Sequence, residues 1–224
     1  MNSDFIWRME DVLGVYSLPY NELHPVVCFD ERPCFLIGDI ISPMNMSENN
    51  SVKKEHYAYE KHGSCCMPMA MEPLTGKRFA KVYAQRTQKE YTEFMSFLAD
   101  QYPDNAKITI VQDNLNTHTP SSFYKNLEAP KAKELKDRFE WHYTPKGASW
   151  LNMAEIELSA ISGQCLNRRI PKQELLEKEV TDIVKERNKK QIKITWQFTV
   201  SDARNKLNRH YVKVNPVNLK QPII

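Results

Sequence analysis

The order of apolar segments between residues 78 and 111 limits the fold more than any other feature of the chain. RFAKVYA, at residues 78–84, predicts a strand, and KITIV, at 107–111, is a continuous apolar run typical of a strand buried on both faces. The residues between them have the pattern of a helix. A strand, a helix and a strand in this order predict a right-handed crossover and a parallel or mixed sheet.

The helix between these strands has the clearest signals in the sequence. The run from Thr87 to Glu90 fits a capping box, in which the two outer side chains accept from each other's backbone amides. Apolar side chains then recur at helical spacing, at Tyr91, Phe94, Met95, Leu98 and Tyr102. The turn-forming run from Pro103 to Asn105 predicts where the helix stops.

Two apolar runs nearer the N-terminus predict a hairpin. PVVCF, at residues 25–29, ends at Asp30 and is typical of a strand buried on both faces. CFLIGDII, at 34–41, follows a break at Arg32-Pro33, and we expect it to pair with the first run.

Two further strands and a loop complete the expected sheet. CCMPMAM, at 65–71, predicts a strand that Pro68 places at an edge of the sheet, because proline cannot donate to a ladder. FEWHYT, at 139–144, predicts another strand. The polar segment from Met44 to Lys54 predicts a loop.

The second half of the chain predicts mainly helices. Two helical pieces span Ser121 to Arg138, with an interruption at Pro130. Ser149 is expected to cap a long helix. Its apolar stripe consists of Leu151, Ala154, Leu158, Ile161 and Cys165.

Two more helices are expected near the C-terminus. The first runs from Lys172 to Lys190, and Ser201 is expected to cap a last helix that ends near Tyr211. The inward face of the first consists of Leu175, Leu176, Val180, Ile183 and Val184.

Composition favours one globular domain. Among 224 residues, 41% are hydrophobic and 10% aromatic, which is enough for one sizeable core. The five cysteines form no C-x-x-C pair, which favours reduced thiols in a cytoplasm. No apolar run approaches the length of about 18 residues that a membrane span needs, so no membrane partner is expected.

The distribution of charge is more informative than its sum. The net charge of +3 is too small to indicate a nucleic-acid partner. From Lys185 onward, however, the chain has ten Lys and Arg against two acidic residues, an excess that can neutralise phosphates. The same excess also fits a solvated helix face and tail.

Three carboxylates stand where strands or a helix would place them together. Asp30 and Asp113 each follow a predicted buried strand, and Glu155 lies in the first turn of a predicted helix, away from its apolar stripe. Neighbouring strands lie about 5 Å apart, so the two aspartates converge if their strands are adjacent. Oxygen ligands without thiols favour Mg²⁺ or Mn²⁺, and two such ions about 4 Å apart support phosphoryl transfer.

Each carboxylate also has an ordinary interpretation. Asp30 can be a turn residue at a strand end, Asp113 can form an Asx turn, and Glu155 can be a favourable charge in a helix first turn. Glu31 competes with Asp30 as a ligand, but alternation directs its side chain to the opposite face of the strand.

Three segments carry a resemblance to a known family. VVCFDERP, TIVQDNLNTH and HYTPKGASWLNMAEIELS closely resemble the catalytic domain of DDE transposases of the mariner superfamily, in its bacterial insertion-sequence branch. The similarity extends roughly from Phe5 to Tyr211 and includes YAYEKHG and ITWQFTVSDARNKL. DNLNTH followed by SWLNMAE at this separation is the specific part of the match.

The resemblance implies an α/β, ribonuclease-H-like fold, a mixed sheet of about five strands flanked by helices. It implies Asp30 on the first strand, Asp113 after the fourth and Glu155 on the helix after the fifth, as catalytic residues and ligands of two Mg²⁺ or Mn²⁺ ions. The implied activity is cleavage at transposon ends and transfer of the 3′-OH into target DNA, typically at TA. The alternative is a catalytically idle, transposase-derived DNA-binding or regulatory remnant.

Further residues are expected to support this site. The candidates for supporting roles are Asn114, His118, His142 and Asn152, with a structural hydrogen bond as the alternative for either histidine. Asn152, one turn before Glu155, is expected to orient the carboxylate or to contact a phosphate. Lys146 and Arg204 are candidate DNA contacts, with surface solvation as the alternative, and Trp150 is interpreted as a packing residue.

The resemblance also suggests how the chain is divided. Residues 1–22 are expected to be a connector, 23–212 the ribonuclease-H-like catalytic domain and 213–224 a C-terminal tail. The family's helix-turn-helix modules are absent from this sequence, which fits a split reading frame, a shortened form or a domesticated remnant. Expected partners are DNA, at transposon ends and target, and a second copy or a full-length transposase. The expected location is the bacterial cytoplasm, at the nucleoid.

Overall fold

A mixed sheet forms the centre of the computed structural model, which describes residues 1–41, 57–115 and 118–220. In these parts of the chain the strand order is β3-β2-β1-β4-β5. The strands are β1 (Val26–Asp39), β2 (Tyr59–Glu72), β3 (Lys77–Ala80), β4 (Ile108–Gln112) and β5 (Phe139–Tyr143). β2 pairs antiparallel with β1 and β3, whereas β4 pairs parallel with β1 and β5. The predicted mixed sheet flanked by helices is therefore confirmed.

Helices cover both faces of this sheet. They are α1 (Ser3–Tyr16), α2 (Gln88–Ala99), α3 (Ser121–Asn126), α4 (Ala129–Asp137), α5 (Met153–Ile161), α6 (Gln173–Lys189), α7 (Val200–Lys206) and α8 (Asn208–Val214). Short 3₁₀ turns span Ser149–Leu151 and Pro216–Lys220, and a π turn spans Ser162–Leu166. The loop expected between Met44 and Lys54 lies outside the described residues, as do the last four residues of the expected tail.

Consecutive residues of β1 contribute to two different cores. Cys28 packs in the cluster beneath α1, α5 and α6, with Met9 and Leu158, whereas Phe29 packs on the opposite face with Phe94 of α2. The continuous apolar run that predicted a strand buried on both faces is thus confirmed. The sheet is the middle layer of three, and this holds its strand ends in fixed positions.

Helix α2 confirms the capping box and the apolar stripe. The Thr87 hydroxyl accepts from the amide of Lys89 at 3.2 Å, and the Glu90 carboxylate accepts from the amide of Thr87 at 3.0 Å. Tyr91, Phe94, Met95 and Leu98 are fully buried. The helix ends at Ala99, before the predicted stop.

The N-terminal segment packs against the sheet. Met9, Val12 and Leu13 of α1 are buried in the same cluster as Leu158 of α5. The Tyr16 hydroxyl donates to the carbonyl of Leu151 at 2.7 Å and so connects the end of α1 to the turn before α5. The division at residue 22 stays a prediction, but the first 16 residues contribute a helix to the core.

The predicted break at Arg32-Pro33 is wrong, because β1 continues from Val26 to Asp39 and pairs with β2 from Cys28 to Asp39, across the proline. The carbonyl of Pro25 accepts from β4 and that of Phe29 accepts from Asn152, so odd-numbered peptide groups here point away from β2. Among the described strands β4 pairs with β1 only as far as Cys28. The missing amide of Pro33 therefore removes no ladder bond.

The edge position predicted from Pro68 is also wrong, since β2 lies between β3 and β1. The ladder between β2 and β3 ends where Met69 faces Ala80. Pro68 lies just past this end, and its carbonyl accepts from the amide of Lys81 at 3.2 Å. An internal strand can hold a proline at such a place, because the pairing is interrupted here, between the end of this ladder and the isolated bridge of Cys66 with Tyr83.

Two helix caps differ from the predictions. Ser149 opens a 3₁₀ turn, and α5 is capped instead by Asn152, whose side chain accepts from the amide of Ala154 at 3.1 Å. Asparagine and serine cap equally well, so composition alone does not choose between them. The last helical region is capped by Thr199, not Ser201, in a capping box with Asp202, and it divides into α7 and α8 at Leu207.

Two smaller helix details were also wrong. Pro130 does not interrupt a helix but lies in the first turn of α4, where its missing amide needs no partner; the break is at Leu127. Leu175 is 38% exposed, whereas its neighbour Leu176 is buried with Val180.

All five cysteines lie in described parts of the chain and are free thiols. In the described residues, none of the helices is long and apolar enough to span a membrane.

Candidate active site

Asp30 and Asp113 lie on one face of two adjacent parallel strands. Cys28 of β1 is level with Val111 of β4, and both side chains belong to the cluster beneath α5. Each aspartate comes two residues later, and alternation returns a side chain to the same face after two residues. Because neighbouring strands are about 5 Å apart, the sequence positions of the aspartates bring their side chains to one end of the sheet.

Glu155 reaches this end from α5. It lies in the first turn of the helix and is exposed, while Leu151 and Ala154 on the other side are fully buried. Asn152 holds the helix start against β1, because its side-chain amide donates to the carbonyl of Phe29 at 2.7 Å. The same nitrogen lies 3.5 Å from Oδ2 of Asp30.

The environment of Asp30 disfavours its charge. Burial raises the pKa of Asp30, and the amide of Glu31 lowers it. The negative charges of Glu155 and Asp113 raise it further, against a lowering by His118, and the pKa is about 7. Asp113 and Glu155, from two other elements, therefore each lie within electrostatic reach of Asp30.

His118 fixes the position of Asp113. Its Nδ1 is 2.6 Å from Oδ1 of Asp113, and its Nε2 is 3.1 Å from Oε2 of Glu31, in the geometry of an ion pair. The imidazole stacks on the ring of Tyr91 at 4.9 Å and is fully buried. Burial lowers the pKa of His118, but the carboxylates of Asp113 and Glu31 outweigh burial and raise the pKa to about 9. An imidazolium between two carboxylates results.

The buried Gln112 fastens the loop that contains these residues. Its amide nitrogen donates to the carbonyl of His118 at 2.6 Å, and its oxygen accepts from the Tyr91 hydroxyl at 2.9 Å. No sequence pattern indicates this role, because glutamine at the end of an apolar strand fits a solvent-facing residue equally well.

Glu31 and Arg86 were missed as members of the site. Glu31 points to the opposite face from Asp30, as alternation predicts, but there it contacts His118 and accepts from Nε of Arg86 at 2.5 Å. Arg86 follows β3 in a segment without regular structure, and no motif singled it out. Only the fold brings it to the end of β4.

Other candidates from the sequence point elsewhere. Nδ1 of His142 is 2.8 Å from a carboxylate oxygen of Asp11 on α1, the structural hydrogen bond that was the alternative. Arg204 makes a two-point ion pair with Glu10, at 2.8 and 2.7 Å. These contacts connect α1 to β5 and to α7.

The remaining candidates are exposed. Lys146 lies in the turn after β5, beside Gly147, whose φ of 76° is the left-handed conformation that glycine adopts without strain. Asn114 is exposed in the loop after β4. Trp150 meets the ring of Phe198 edge to face at 5.9 Å, yet it is 48% exposed, so the packing interpretation covers only part of its surface.

The donor set fits a hard divalent cation. Carboxylate oxygens are the ligands that Mg²⁺ and Mn²⁺ prefer, and mutual repulsion among the carboxylates around Asp30 is what a bound cation would relieve. Within residues 1–41, 57–115 and 118–220, no group of three or more His, Cys, Asp or Glu side chains has the geometry to hold a metal ion. The fit therefore rests on ligand chemistry and charge.

A family comparison covers the part of the chain that contains this site. The sequence model described as DDE superfamily endonuclease matches residues 25–177, which include Asp30, Asp113 and Glu155. The chain belongs to the DDE superfamily endonuclease family. No curated protein matches the chain in sequence.

Solved structures similar to this DDE endonuclease chain are complexes of the Mos1 mariner transposase. The paired end complex with Mg has a TM-score of 0.55 and 15% identity over 99% of this chain and 64% of that chain. The paired end complex with Mn has a TM-score of 0.54 and 14% identity over 98% and 64%. The strand transfer complex has a TM-score of 0.53 and 13% identity over 96% and 60%.

These similarities confirm the ribonuclease-H-like fold class. At such identities they show the fold alone, and the chain spans less than two thirds of each Mos1 chain. The insertion-sequence branch and the domain boundaries stay predictions.

Proposed function

We propose that this DDE endonuclease chain is the catalytic domain of a DNA transposase, which cleaves strands at transposon ends and transfers the 3′-OH into target DNA. The observation that carries the proposal is the geometry at one end of the sheet: Asn152, at the start of the helix of Glu155, donates to the carbonyl of Phe29 and lies 3.5 Å from Oδ2 of Asp30, and β1 is the neighbour of β4, which precedes Asp113. The similar Mos1 structures are paired end complexes with Mn or Mg and a strand transfer complex, which supports a DNA substrate and a divalent metal.

Asp30, Asp113 and Glu155 are the proposed ligands of Mg²⁺ or Mn²⁺, with two ions in the form we favour. Such ions supply activation of the attacking oxygen and stabilisation of the leaving oxygen in an in-line displacement at phosphorus. The protein contributes rigidity. Asn152 fixes the helix of Glu155 to β1, and His118 fixes the carboxylate of Asp113.

DNA binding in this proposal is mainly electrostatic. Exposed Lys146 lies in the turn between β5 and the 3₁₀ turn that precedes Glu155, and the C-terminal part of the chain has excess positive charge. Contacts of this kind recognise the phosphate backbone, and they weaken as salt rises because binding releases counterions. We propose that a second copy, or a full-length transposase, supplies the pairing of DNA ends.

A nicking assay tests the proposal. The wild type is incubated with plain or branched duplex DNA and Mn²⁺ or Mg²⁺, and the products are compared with those of Asp113→Asn and of the exposed control Asp137→Asn. Metal-dependent nicking that disappears in Asp113→Asn and persists in Asp137→Asn supports catalysis. Equal background in all three proteins would refute it and leave the DNA-binding remnant as the better description.

A further inference from the structure

A row of four charged side chains crosses the sheet at the candidate active site. Nε of Arg86 donates to Oε2 of Glu31 at 2.5 Å, the same oxygen is 3.1 Å from Nε2 of His118, and Nδ1 of His118 is 2.6 Å from Oδ1 of Asp113. Glu31 and His118 are buried at the centre of the row. Arg86 is therefore held at a defined distance from a proposed catalytic carboxylate.

The guanidinium of Arg86 is anchored at one nitrogen only. Within the described parts of the chain, Nε is bonded to Glu31, whereas Nη1 and Nη2 have no acceptor. The side chain is 40% exposed, so the guanidinium is accessible to a ligand from solvent. They could form up to four N–H contacts with an anion.

Two buried arginines of the same protein, Arg78 and Arg187, have all their guanidinium nitrogens occupied by protein acceptors. All three guanidinium nitrogens of Arg78 donate to protein oxygens, on Glu157, Gly76 and Ile192. Arg187 likewise uses Nε and both Nη atoms, on Glu157 and Gln164. An arginine held by Nε with a free fork of Nη atoms is suited to two-point binding of a phosphate.

The other charged groups of the site leave this role open. Asp30, Asp113 and Glu155 are the proposed metal ligands, and His118 is enclosed between two carboxylates and cannot reach a phosphate. Burial lowers the pKa of Arg86, but its hydrogen bond to Glu31 and the negative charges of Glu31 and Asp113 raise it overall. The guanidinium thus stays charged and lies within electrostatic reach of Asp113.

We propose that Arg86 is a catalytic residue whose Nη atoms bind a non-bridging oxygen of the DNA phosphate under attack. Glu31 and His118 are positioning residues, because they act only through Arg86 and Asp113. Negative charge grows on the non-bridging oxygens during displacement at phosphorus, and a preorganised guanidinium stabilises it. This inference rests on the proposed function, since it names a contact in the same reaction.

The test uses one DNA duplex of defined sequence. The phosphate in this duplex at which the wild type nicks most often is identified first. Single-turnover nicking rates with Mn²⁺ are measured for wild type, Arg86→Gln, Arg86→Lys and the control Lys89→Gln, an exposed residue three positions along the chain. Loss of one preorganised donor costs about 100-fold in rate, so we expect that loss for Arg86→Gln and wild-type rates for Lys89→Gln. Arg86→Lys keeps the charge without the fork and should be intermediate.

A sulfur substitution separates contact from positioning. Each non-bridging oxygen of that phosphate is replaced in turn by sulfur. We expect one of the two isomers to slow the wild type, and this effect to shrink at least about fivefold in Arg86→Gln, because the contact is already lost. Duplex affinity and the melting temperature of each variant are measured alongside, so that rates are compared only between folded, fully DNA-bound proteins.

The possible results are distinct. If the wild type does not nick DNA, the proposed function fails. If the wild type nicks and Arg86→Gln is equally fast, the inference about Arg86 is overturned while the function stands. If Arg86→Gln is slow but both sulfur effects equal those of the wild type, Arg86 acts through Asp113 and does not touch the phosphate, which also overturns the inference.

Discussion

The side-chain amide of Asn152 donates to the carbonyl of Phe29 at 2.7 Å, and this bond joins the helix of one catalytic candidate to the strand of another. Phe29 immediately precedes Asp30, and Asn152 is three residues before Glu155. The same asparagine caps α5 through the amide of Ala154. One buried side chain therefore determines both where α5 begins and how close Glu155 comes to the sheet.

Replacing Asn152 should destabilise the protein. Asn152→Ala removes a helix cap, which costs about 1 kcal/mol, and leaves the carbonyl of Phe29 without its partner, which costs about 1 to 3 kcal/mol more. Urea unfolding measures the loss directly. Asn205→Ala, at an exposed position in α7, is the matched control and should change stability by less than about 0.5 kcal/mol. Equal stabilities for the two variants would contradict the role given to Asn152.

A second buried contact holds α5 from its other side. The carboxylate of Glu157 accepts from Arg78 of β3 at 2.6 and 3.0 Å and from Arg187 of α6 at 2.5 and 2.9 Å. Glu157 is 1% exposed, and it lies only two positions after exposed Glu155. The same helix thus presents one glutamate to the protein and another to the candidate site.

Two variants of this helix should behave in opposite ways. Glu157→Gln leaves two buried arginines without a counter-charge, which costs about 3 to 5 kcal/mol. Glu155→Gln loses only an exposed first-turn charge, worth less than about 1 kcal/mol, but should abolish metal-dependent nicking. Urea unfolding and the nicking assay are run on both proteins. A Glu157→Gln variant as stable as the wild type, or an active Glu155→Gln variant, would contradict the structural role of Glu157 or the catalytic role of Glu155.

The sequence predicted the elements whose signals are local. Three elements were predicted from residues that are adjacent in the sequence, and the fold agrees with all of them. They are the helix that begins with the capping box at Thr87, the strand before Asp30 and the strand before Asp113. If β1 and β4 are neighbours, the alternation of side chains along each strand predicts that the two aspartates lie close together. The family resemblance gave the same three carboxylates.

The sequence did not predict features that depend on distant partners. The row of charged side chains from Arg86 to Asp113 contains residues of three separate segments: the connection between β3 and α2, strand β1, and the loop after β4. No periodicity in the sequence indicates that these segments meet. Glu157 has the same pattern as a surface glutamate until β3 and α6 supply its arginines. The break at Pro33 was wrong for the same reason: whether a proline ends a strand depends on which side has a partner.

The ion pair of Glu10 and Arg204 gives a dependence on pH. The hydrogen bond from Arg204 lowers the pKa of Glu10; burial raises it, and the Tyr211 hydroxyl lowers it again, so the folded pKa lies below 4.5. A lowered pKa contributes stability above the unfolded pKa, and that stability is lost as pH falls through the folded value. Because Arg204 is mostly exposed, the contribution at neutral pH should be under about 1 kcal/mol.

Urea unfolding of the wild type and Glu10→Gln at about pH 7 and about pH 3 tests this dependence. The wild type should be the more stable protein at the higher pH, and the two should converge at the lower pH. A difference that persists unchanged at the lower pH would show that the Glu10 charge is not its source. The same experiment bears on Arg204, since an arginine already engaged by Glu10 is a weaker candidate for DNA contact.

Calorimetry of Mn²⁺ binding tests the proposed ligands without DNA and without turnover. Asp30→Asn removes a carboxylate that is coupled to two others, so we expect the heat of binding to disappear. His142→Gln is the matched control: its Nδ1 faces Asp11 on α1, and it should bind Mn²⁺ like the wild type. The melting temperatures of both variants establish that they are folded. Mn²⁺ heat retained by Asp30→Asn would exclude Asp30 as a required ligand, and heat lost in folded His142→Gln would mean that the metal site extends to β5.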